Sequence, residues 1–477
     1  MPKTDPDGQV TVVGGGLAGC EAAWTLARLG FDVDLIEARG ADAAPDREIH
    51  APFQTADLAE LVCSNSLKSD DPARPTGLLK RELAKLGSLL IPLAREHAVA
   101  AGTALAVDRA GFARAVTGAV STCDRIRLVR AEVTKLPDGP AILATGPLTL
   151  PALAAVLAEV VGGEGLYFYD AIAPVVDAES LDWSAAFYAS RWGRNTADGE
   201  HAAGAADAGD RENAGGEDEG DYVNCPMNRA EYEAFVDAIA TADKVVPRAF
   251  EEPRYFENCS PVELMVERGR DVLRYGPLRP IGLTDPRTGA RPFAVVQLRM
   301  ENRHRTAFNL VGCQTRMTYP AQERVFRLIP ALREARFLRF GEVHRNTFVD
   351  APRRLVEGLF LPGRPDVALS GLLCGVEGYV ESIAMGLYSA LRMAARLRGV
   401  ALVEPPVTCA LGALAWHIRN GSAPYMPTNV HLGLWPPLPV TGRLPKAEKR
   451  RLLAERAVAD FDAWFDAGAG FPGKVLS

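Results

Sequence analysis

The eight cysteines of this 477-residue sequence, at positions 20, 63, 123, 225, 259, 313, 374 and 409, form no C-x-x-C pair and no zinc spacing. That excludes a paired redox motif and a thiolate metal site as readings of the chain. No apolar run approaches the ~20 residues that span a bilayer, and Met1–Asp7 lacks the apolar stretch of a secretion signal. Scattered thiols then read as reduced, and the expected setting is the cytoplasm, with no membrane partner. Aromatic residues are scarce, at 7%, and too dispersed to mark a base-stacking platform. The net charge of −7 would argue weakly against a nucleic-acid partner, but it is concentrated. Asn195 to Asp221 holds nine acids against one base, Arg211, so the remainder of the chain sits near +1. That segment has no large aliphatic residue and reads as a solvated, disordered insertion.

What is present is first of all a glycine turn. Val10–Val13 is a short β-branched run with the composition of a buried parallel strand. Gly14, Gly15, Gly16, Leu17, Ala18 and Gly19 follow with G-x-G-x-x-G spacing. Gly14 suits the tight turn, Gly16 the close approach of a pyrophosphate, and Gly19 close packing of helix on strand. Leu17–Leu29 reads as a helix stopped by Gly30. Phe31–Ile36 reads as a second strand, and Glu37 at its end can accept hydrogen bonds from a ribose. Strand, turn, helix, strand and acid in register predict a dinucleotide site.

Further along, Gly77–Leu90 has helical periodicity, and Ala141–Leu143 is an apolar strand running into Ala144-Thr145-Gly146. In flavoproteins such an A-T-G strand returns to the cofactor sheet, so Thr145 and Gly146 are expected beside the opening glycines. From Pro151 to Thr347 the pattern turns to aromatic and β-branched strands between short helices. Val367–Leu369 is another buried strand; Gly371 follows it. Gly375, Val376, Glu377 and Gly378 then form a second glycine turn feeding a helix to about Leu397, whose N-terminus would face an anion or a flavin carbonyl. No second G-x-G-x-x-G exists, so a nicotinamide reductant has no Rossmann domain of its own. The expected architecture is α/β. A discontinuous Rossmann-like FAD-binding domain (8–150 and 348–440) carries an inserted mixed α/β substrate domain (151–347), and a basic helix (441–477) closes the chain.

Several motifs then converge. Leu61-Val62-Cys63-Ser64-Asn65-Ser66-Leu67, Gly87-Ser88-Leu89, Ala104–Arg109 and Tyr167–Pro174 form one group. Asn224-Cys225-Pro226-Met227, Val296–Arg299, His344–Phe348 and Gly375–Ser382 form another. Together, over roughly Val10 to Leu438, they resemble TrmFO, the family of folate- and FAD-dependent tRNA (uracil-5-)-methyltransferases related to GidA. The resemblance implies bound FAD, a methylene group from 5,10-methylenetetrahydrofolate, reduction by NADPH or NADH, and 5-methyluridine in the T-loop of tRNA. Ribosomal RNA is the alternative substrate, since some relatives modify it. No metal is implied. Two departures stand out: the acidic 195–221 insertion, and Leu372 where the family pattern has Gln after Gly371.

The chemistry needs an activated thiol. Uracil C5 is a poor nucleophile until a thiolate adds at C6 and converts the ring to an enolate. Three cysteines compete. Cys225 precedes a helix opened by Asn228 with Glu231 three residues on, a capping box. Cys259 precedes Ser260-Pro261-Val262-Glu263, a still better helix start, and by local physics ranks first. Cys63 sits among hydroxyls and amides near Lys68. The resemblance decides between them: it implies Cys225 as nucleophile and Cys63 as a second catalytic thiol. It also implies His344 against the folate pterin, and it suggests Arg345 and Arg299 as folate or RNA contacts. For RNA, two basic stretches offer positive charge: Arg324–Arg354, with eight Arg against three acids, and Arg443–Arg456, with six bases against two. Solvated helix faces are the competing reading of both.

Overall fold

A computed structural model describes residues 8–40, 53–162, 166–193, 220–245, 260–422, 425–439 and 444–468. Cys259 and nearly all of the acidic insertion lie outside them, as do the side chains of His344 and Arg345. The chain opens with β1 (Gln9–Val13), α1 (Leu17–Arg28) and β2 (Asp32–Glu37). β3 (Ser66–Ser69) and α2 (Pro75–Lys85) come next. The predicted helix over 77–90 is shorter than its periodicity suggests, because Gly87, at φ +84°, turns the chain there. A separate helix then spans Leu90–Glu96. After α3 (Arg109–Ser121) come β4 (Ile126–Arg130), β5 (Ala141–Leu143) and α4 (Pro151–Val161).

The chain next crosses to a second layer through β6 (Leu166–Ala171). That layer holds β7 (Tyr222–Met227), α5 (Arg229–Thr241), β8 (Ala294–Met300) and β9 (Ala307–Val311). It returns through β10 (Val343–Phe348), antiparallel to β6. β11 (Arg364–Leu369), α6 (Tyr379–Leu397), α7 (Ala410–Asn420) and α8 (Lys446–Asp466) complete the fold.

The first sheet has the order Phe360–Leu361, β11, β5, β1, β2, β4, and is parallel apart from its Phe360–Leu361 edge. Strands buried on both faces explain the continuous apolar runs: Val10, Val12, Ile142, Val367 and Leu369 are fully buried. The chain runs outward from β1 to β2 and β4, then jumps back to β5 on the other side of β1. Ligands of such sheets bind at this reversal, outside the carboxyl ends of the strands. Thr145 and Gly146 leave β5 there, beside the glycine turn leaving β1. α1 lies close against α6, because a Cβ on Gly386 would overlap the Ala18 backbone.

The second sheet is antiparallel, in the order Phe187–Tyr188, β7, β8, β9, Val175–Asp177, Phe337–Arg339. It buries its own core around Val223, Phe235, Leu298 and Phe326. The two cores meet later than the 150/151 boundary read from composition. α4 packs Leu153, Leu157 and Val161 into the first core, so the crossover lies at the β6–β10 ribbon. α8 also joins the first core, through Leu453, Ala457 and Phe461. Among the described residues no helix is long and apolar enough to cross a membrane.

Candidate functional site: a dinucleotide cleft with a thiol on its wall

At the strand reversal lies a cleft of ≈ 400 Å³, within the 300–1,000 Å³ range of small-molecule sites. Gly14, Gly16, Leu17 and Ala18 form its floor. Gly14 turns the chain at φ +103°, and a Cβ on Gly16 would meet no protein atom within 4 Å, so that side of the turn is open to a ligand. α1 begins at Gly16 without a side-chain cap and without an acid in its first turn. Its leading N–H groups are therefore available to an anion.

Glu37 reaches into the same cleft. Its carboxylate accepts from Gly15 N (2.6 Å), Arg39 N (2.8 Å) and Arg39 Nε (3.0 Å). Burial favours its protonated form, but the Arg39 charge and these donors outweigh burial and hold the carboxyl below the usual glutamate range. It is thus an anionic acceptor, as a ribose contact requires. Free amides, an open glycine and an ionised acid fit a dinucleotide at this position.

The far wall carries Thr145, Gly146, Gly371, Glu377 and Gly378. Gly371 (φ +64°) and Gly378 (φ +112°) take conformations that favour glycine. Gly378 starts α6, whose N-terminus also lacks a side-chain cap and abuts the cleft. Four sequence candidates stand behind the surface. Gly15 donates to Glu37, and Gly19 lets α1 pack, since a Cβ there would overlap the Gly14 carbonyl. Gly375 (φ +88°) faces the Tyr425 ring, and Val376 is fully buried.

Cys63 is on the cleft wall, half-buried, just before β3. Its loop is held from all sides. Tyr379 Oη accepts from Cys63 N (2.8 Å) and Ser64 N (3.1 Å). Arg109 donates to the Leu61 and Val62 carbonyls and pairs with Glu301, and Arg339 donates to Val62 O at 2.6 Å. Arg299 is nearly buried, and its Nε and Nη2 donate to Asn65 Oδ1 and Ser64 Oγ, both at 2.7 Å. Arg299 therefore faces the protein, where the motif suggested a folate or RNA contact. Arg39, Tyr379 and Lys68 also line the cleft although none was a site candidate from the sequence: Arg39 lies two positions beyond Glu37, Tyr379 within the Gly375–Ser382 motif, and Lys68 near Cys63.

Cys225 is placed differently from its expected position at a helix start. The capping box is present, Asn228 and Glu231 bonding reciprocally, but Cys225 lies inside β7 opposite Val296. Alternation along β7 turns Val223, Cys225 and Met227 into the second core and Asn224 to the other face, where it accepts from Gln297. Cys225 is fully buried, and burial first, then the neighbouring Cys313, raises its thiol far above the ordinary value. The structure does not bring it to the cleft. Much of the first basic stretch, and Arg456 of the second, is engaged within the protein. Arg324, Arg336 and Arg353 pair with acids, while Arg354 and Arg456 donate to backbone carbonyls.

Fold and cleft together define a Rossmann-like FAD-binding protein with a second, antiparallel sheet layer. The family model for glucose inhibited division protein A (GIDA) matches residues 9–401. The crystal structure of Aquifex aeolicus GidA superposes with a TM-score of 0.66 at 14% identity, covering 97% of this chain and 73% of that one. A methylenetetrahydrofolate–tRNA-(uracil-5-)-methyltransferase TrmFO of Anaeromyxobacter dehalogenans is 49% identical over 469 residues, 97% of each chain. That of Geobacter sulfurreducens is 48% identical over 459 residues, 96% of this chain and 99% of the relative. The chain belongs to the TrmFO family.

Proposed function

We propose that the chain methylates uridine C5 in tRNA, taking the one-carbon unit from 5,10-methylenetetrahydrofolate with FAD in the cleft and NADPH or NADH as reductant. The observation that carries this reading is the juxtaposition of a dinucleotide-type floor with a thiol, Cys63, on the same cleft wall, in a chain similar end to end to enzymes of that name. The α1 amides and Glu37 would hold the diphosphate and a ribose of FAD, and the α6 N-terminus would face its ring. When bound, the flavin supplies the two-electron reduction that turns a transferred methylene into a methyl group. The protein orients the reactants, keeps water from the cleft and provides the thiols.

A thiolate adding to C6 of uracil makes C5 nucleophilic, and loss of the C5 proton followed by thiolate departure restores the base. We assign the C6 addition to Cys225 on the family motif, and this has a structural requirement. A desolvated, protonated core thiol is unreactive, so RNA binding must open β7 before Cys225 can act. Cys63, which lines the cleft, is the proposed second thiol and would act there as base or relay. His344 and Arg345 remain the proposed folate contacts.

The test is incubation of purified protein with labelled methylenetetrahydrofolate, NADPH or NADH, and unmodified tRNA or ribosomal RNA. Label in tRNA uridine is expected. Label in neither RNA overturns the reading, and label in ribosomal RNA alone changes the substrate. Cys225→Ala is expected to abolish transfer; full activity in that variant removes Cys225 from the nucleophile role. Alkylation of the free protein is expected to modify Cys63 and spare Cys225, with Cys225 becoming reactive only when tRNA is bound.

A further inference from the structure

The second layer carries an alternation of aromatic rings and guanidiniums at its surface. Tyr275, at the end of the short helix Val272–Tyr275, is 72% exposed, more than any other large apolar or aromatic side chain described. The Arg274 guanidinium lies 5.0 Å from its ring centroid and donates to its hydroxyl at 3.0 Å. The same guanidinium lies 4.0 Å from the Phe293 centroid and donates to the Phe293 carbonyl at 3.1 Å. Arg229 stands 4.6 Å over that ring as well, and Tyr232 packs edge-on against it at 5.5 Å. Beside Tyr275 is an open hollow of ≈ 700 Å³ edged by Arg270, Asp271 and Gly276.

Three features make this more than a stray exposed ring. First, Arg274 is oriented by a carbonyl and a phenol, neither of which neutralises its charge. Arg270 is paired with Asp237, while Arg268 and Arg279 nearby are exposed, so the surface is net positive around Tyr275 despite Asp271. Second, the hollow gives the exposed ring the room a nucleobase needs. Third, the cluster is tied to the strand bearing Cys225. Phe293 N donates to Met227 O at 3.2 Å, and Arg229 opens the helix that follows β7. Cys225 is two residues from Met227, ~7 Å along the strand.

We propose that Tyr275, flanked by Arg274 against its ring and with Arg270 at the rim of the hollow, is a stacking site for an unpaired base of the substrate RNA. Its phosphates would meet the two guanidiniums. This rests on the reading that the substrate is RNA. Proteins recognise RNA chiefly through splayed bases stacked on aromatic or guanidinium planes, combined with positive charge along the backbone. A base held here would load the end of the β7–β8 pair, the element that must open for Cys225 to react.

The test measures binding of an unmodified tRNA transcript at fixed salt by fluorescence anisotropy. Stacking on one aromatic is worth enough that Tyr275→Ala is expected to weaken binding roughly tenfold or more, with Tyr275→Phe restoring most of the affinity. Arg274→Gln is expected to weaken binding and flatten its salt dependence. Flavin content and melting temperature serve as the folding control, because Tyr275 supports no core. If the wild-type protein binds and methylates tRNA and Tyr275→Ala binds equally well, this surface is wrong and the function stands. If the wild-type protein does neither, the RNA reading fails and this inference fails with it.

Discussion

At the scale of single residues, Gly16 and Gly19 illustrate how one motif contains unlike requirements. A methyl group on Gly16 would meet no protein atom within 4 Å, whereas on Gly19 it would overlap the Gly14 carbonyl oxygen. Gly16→Ala is therefore expected to purify without flavin absorbance and to unfold in urea at the midpoint of the flavin-stripped wild type, since the added methyl meets no protein atom but stands where the diphosphate must approach. Gly19→Ala is expected to lose about 1–3 kcal/mol of stability to overpacking strain, read as a lower urea midpoint, because backbone has to move. A flavin-replete Gly16→Ala protein would remove the diphosphate from this turn. Both glycines were legible in the sequence because their task is local, set by a strand, a turn and a helix within ten residues of chain. Cys225 was not. Alternation says that it and Asn224 face opposite ways, but which face is core depends on β8 and α5 packing from elsewhere.

Elements in this fold borrow caps from one another. The helix Leu90–Glu96 has Leu89 at its N-cap, and α7 has Cys409, neither a strong cap. Glu21 on α1 accepts from Ser88 Oγ (2.8 Å), Leu89 N (3.2 Å) and Leu90 N (3.1 Å). Glu82 on α2 likewise accepts from Ala410 N (2.9 Å) and Leu411 N (2.8 Å). Such caps are invisible to a search for local start signals, and for that reason the early helices read less well than β1, α1 and β2.

Borrowed caps also leave a pH signature. Burial raises the Glu82 carboxyl to about 7, against the opposing pull of the two backbone donors and Arg81. A carboxyl whose folded pKa exceeds its unfolded value favours the fold fully below ~4.5, and that contribution is lost as pH rises through about 7. The expected result is that Glu82→Gln is destabilised relative to wild type at pH 5 and recovers ground by pH 8. The difference should narrow by up to about 3 kcal/mol, read from urea midpoints at the two pH values. A gap that widens with pH would mean that the carboxylate is the favoured form.

For the molecule as a whole, the question is how a second sheet with its own core controls a cleft that belongs to the first. The answer lies in the loop from Leu61 to Asn65. Arg109, at the start of α3 in the first layer, holds its carbonyls and pairs with Glu301, just past β8. Arg299 in β8 holds Asn65 and Ser64, Arg339 in the Phe337–Arg339 strand holds Val62, and Asn65 Nδ2 donates to Met300 O at 2.7 Å. A thiol at the cofactor cleft is thus positioned largely by side chains of the other layer. The family motif placed Arg299 near the chemistry, but a motif does not say whether a side chain faces the ligand or the loop beside it.

The two possibilities separate experimentally. Arg299→Met keeps the stem and removes both donors, leaving Asn65 Oδ1 and Ser64 Oγ short of partners at a cost of about 1.5–3 kcal/mol. If Arg299 positions the loop, kcat is expected to fall at least tenfold with the folate KM within twofold of wild type, and Cys63 is expected to alkylate faster. Arg299→Lys should restore little, because one ammonium cannot span two acceptors on adjacent side chains as the guanidinium does. If Arg299 instead binds folate, KM rises, kcat changes little and Cys63 alkylates at the wild-type rate. That second pattern would overturn the positioning role, and would require the Asn65 and Ser64 bonds to break when folate binds.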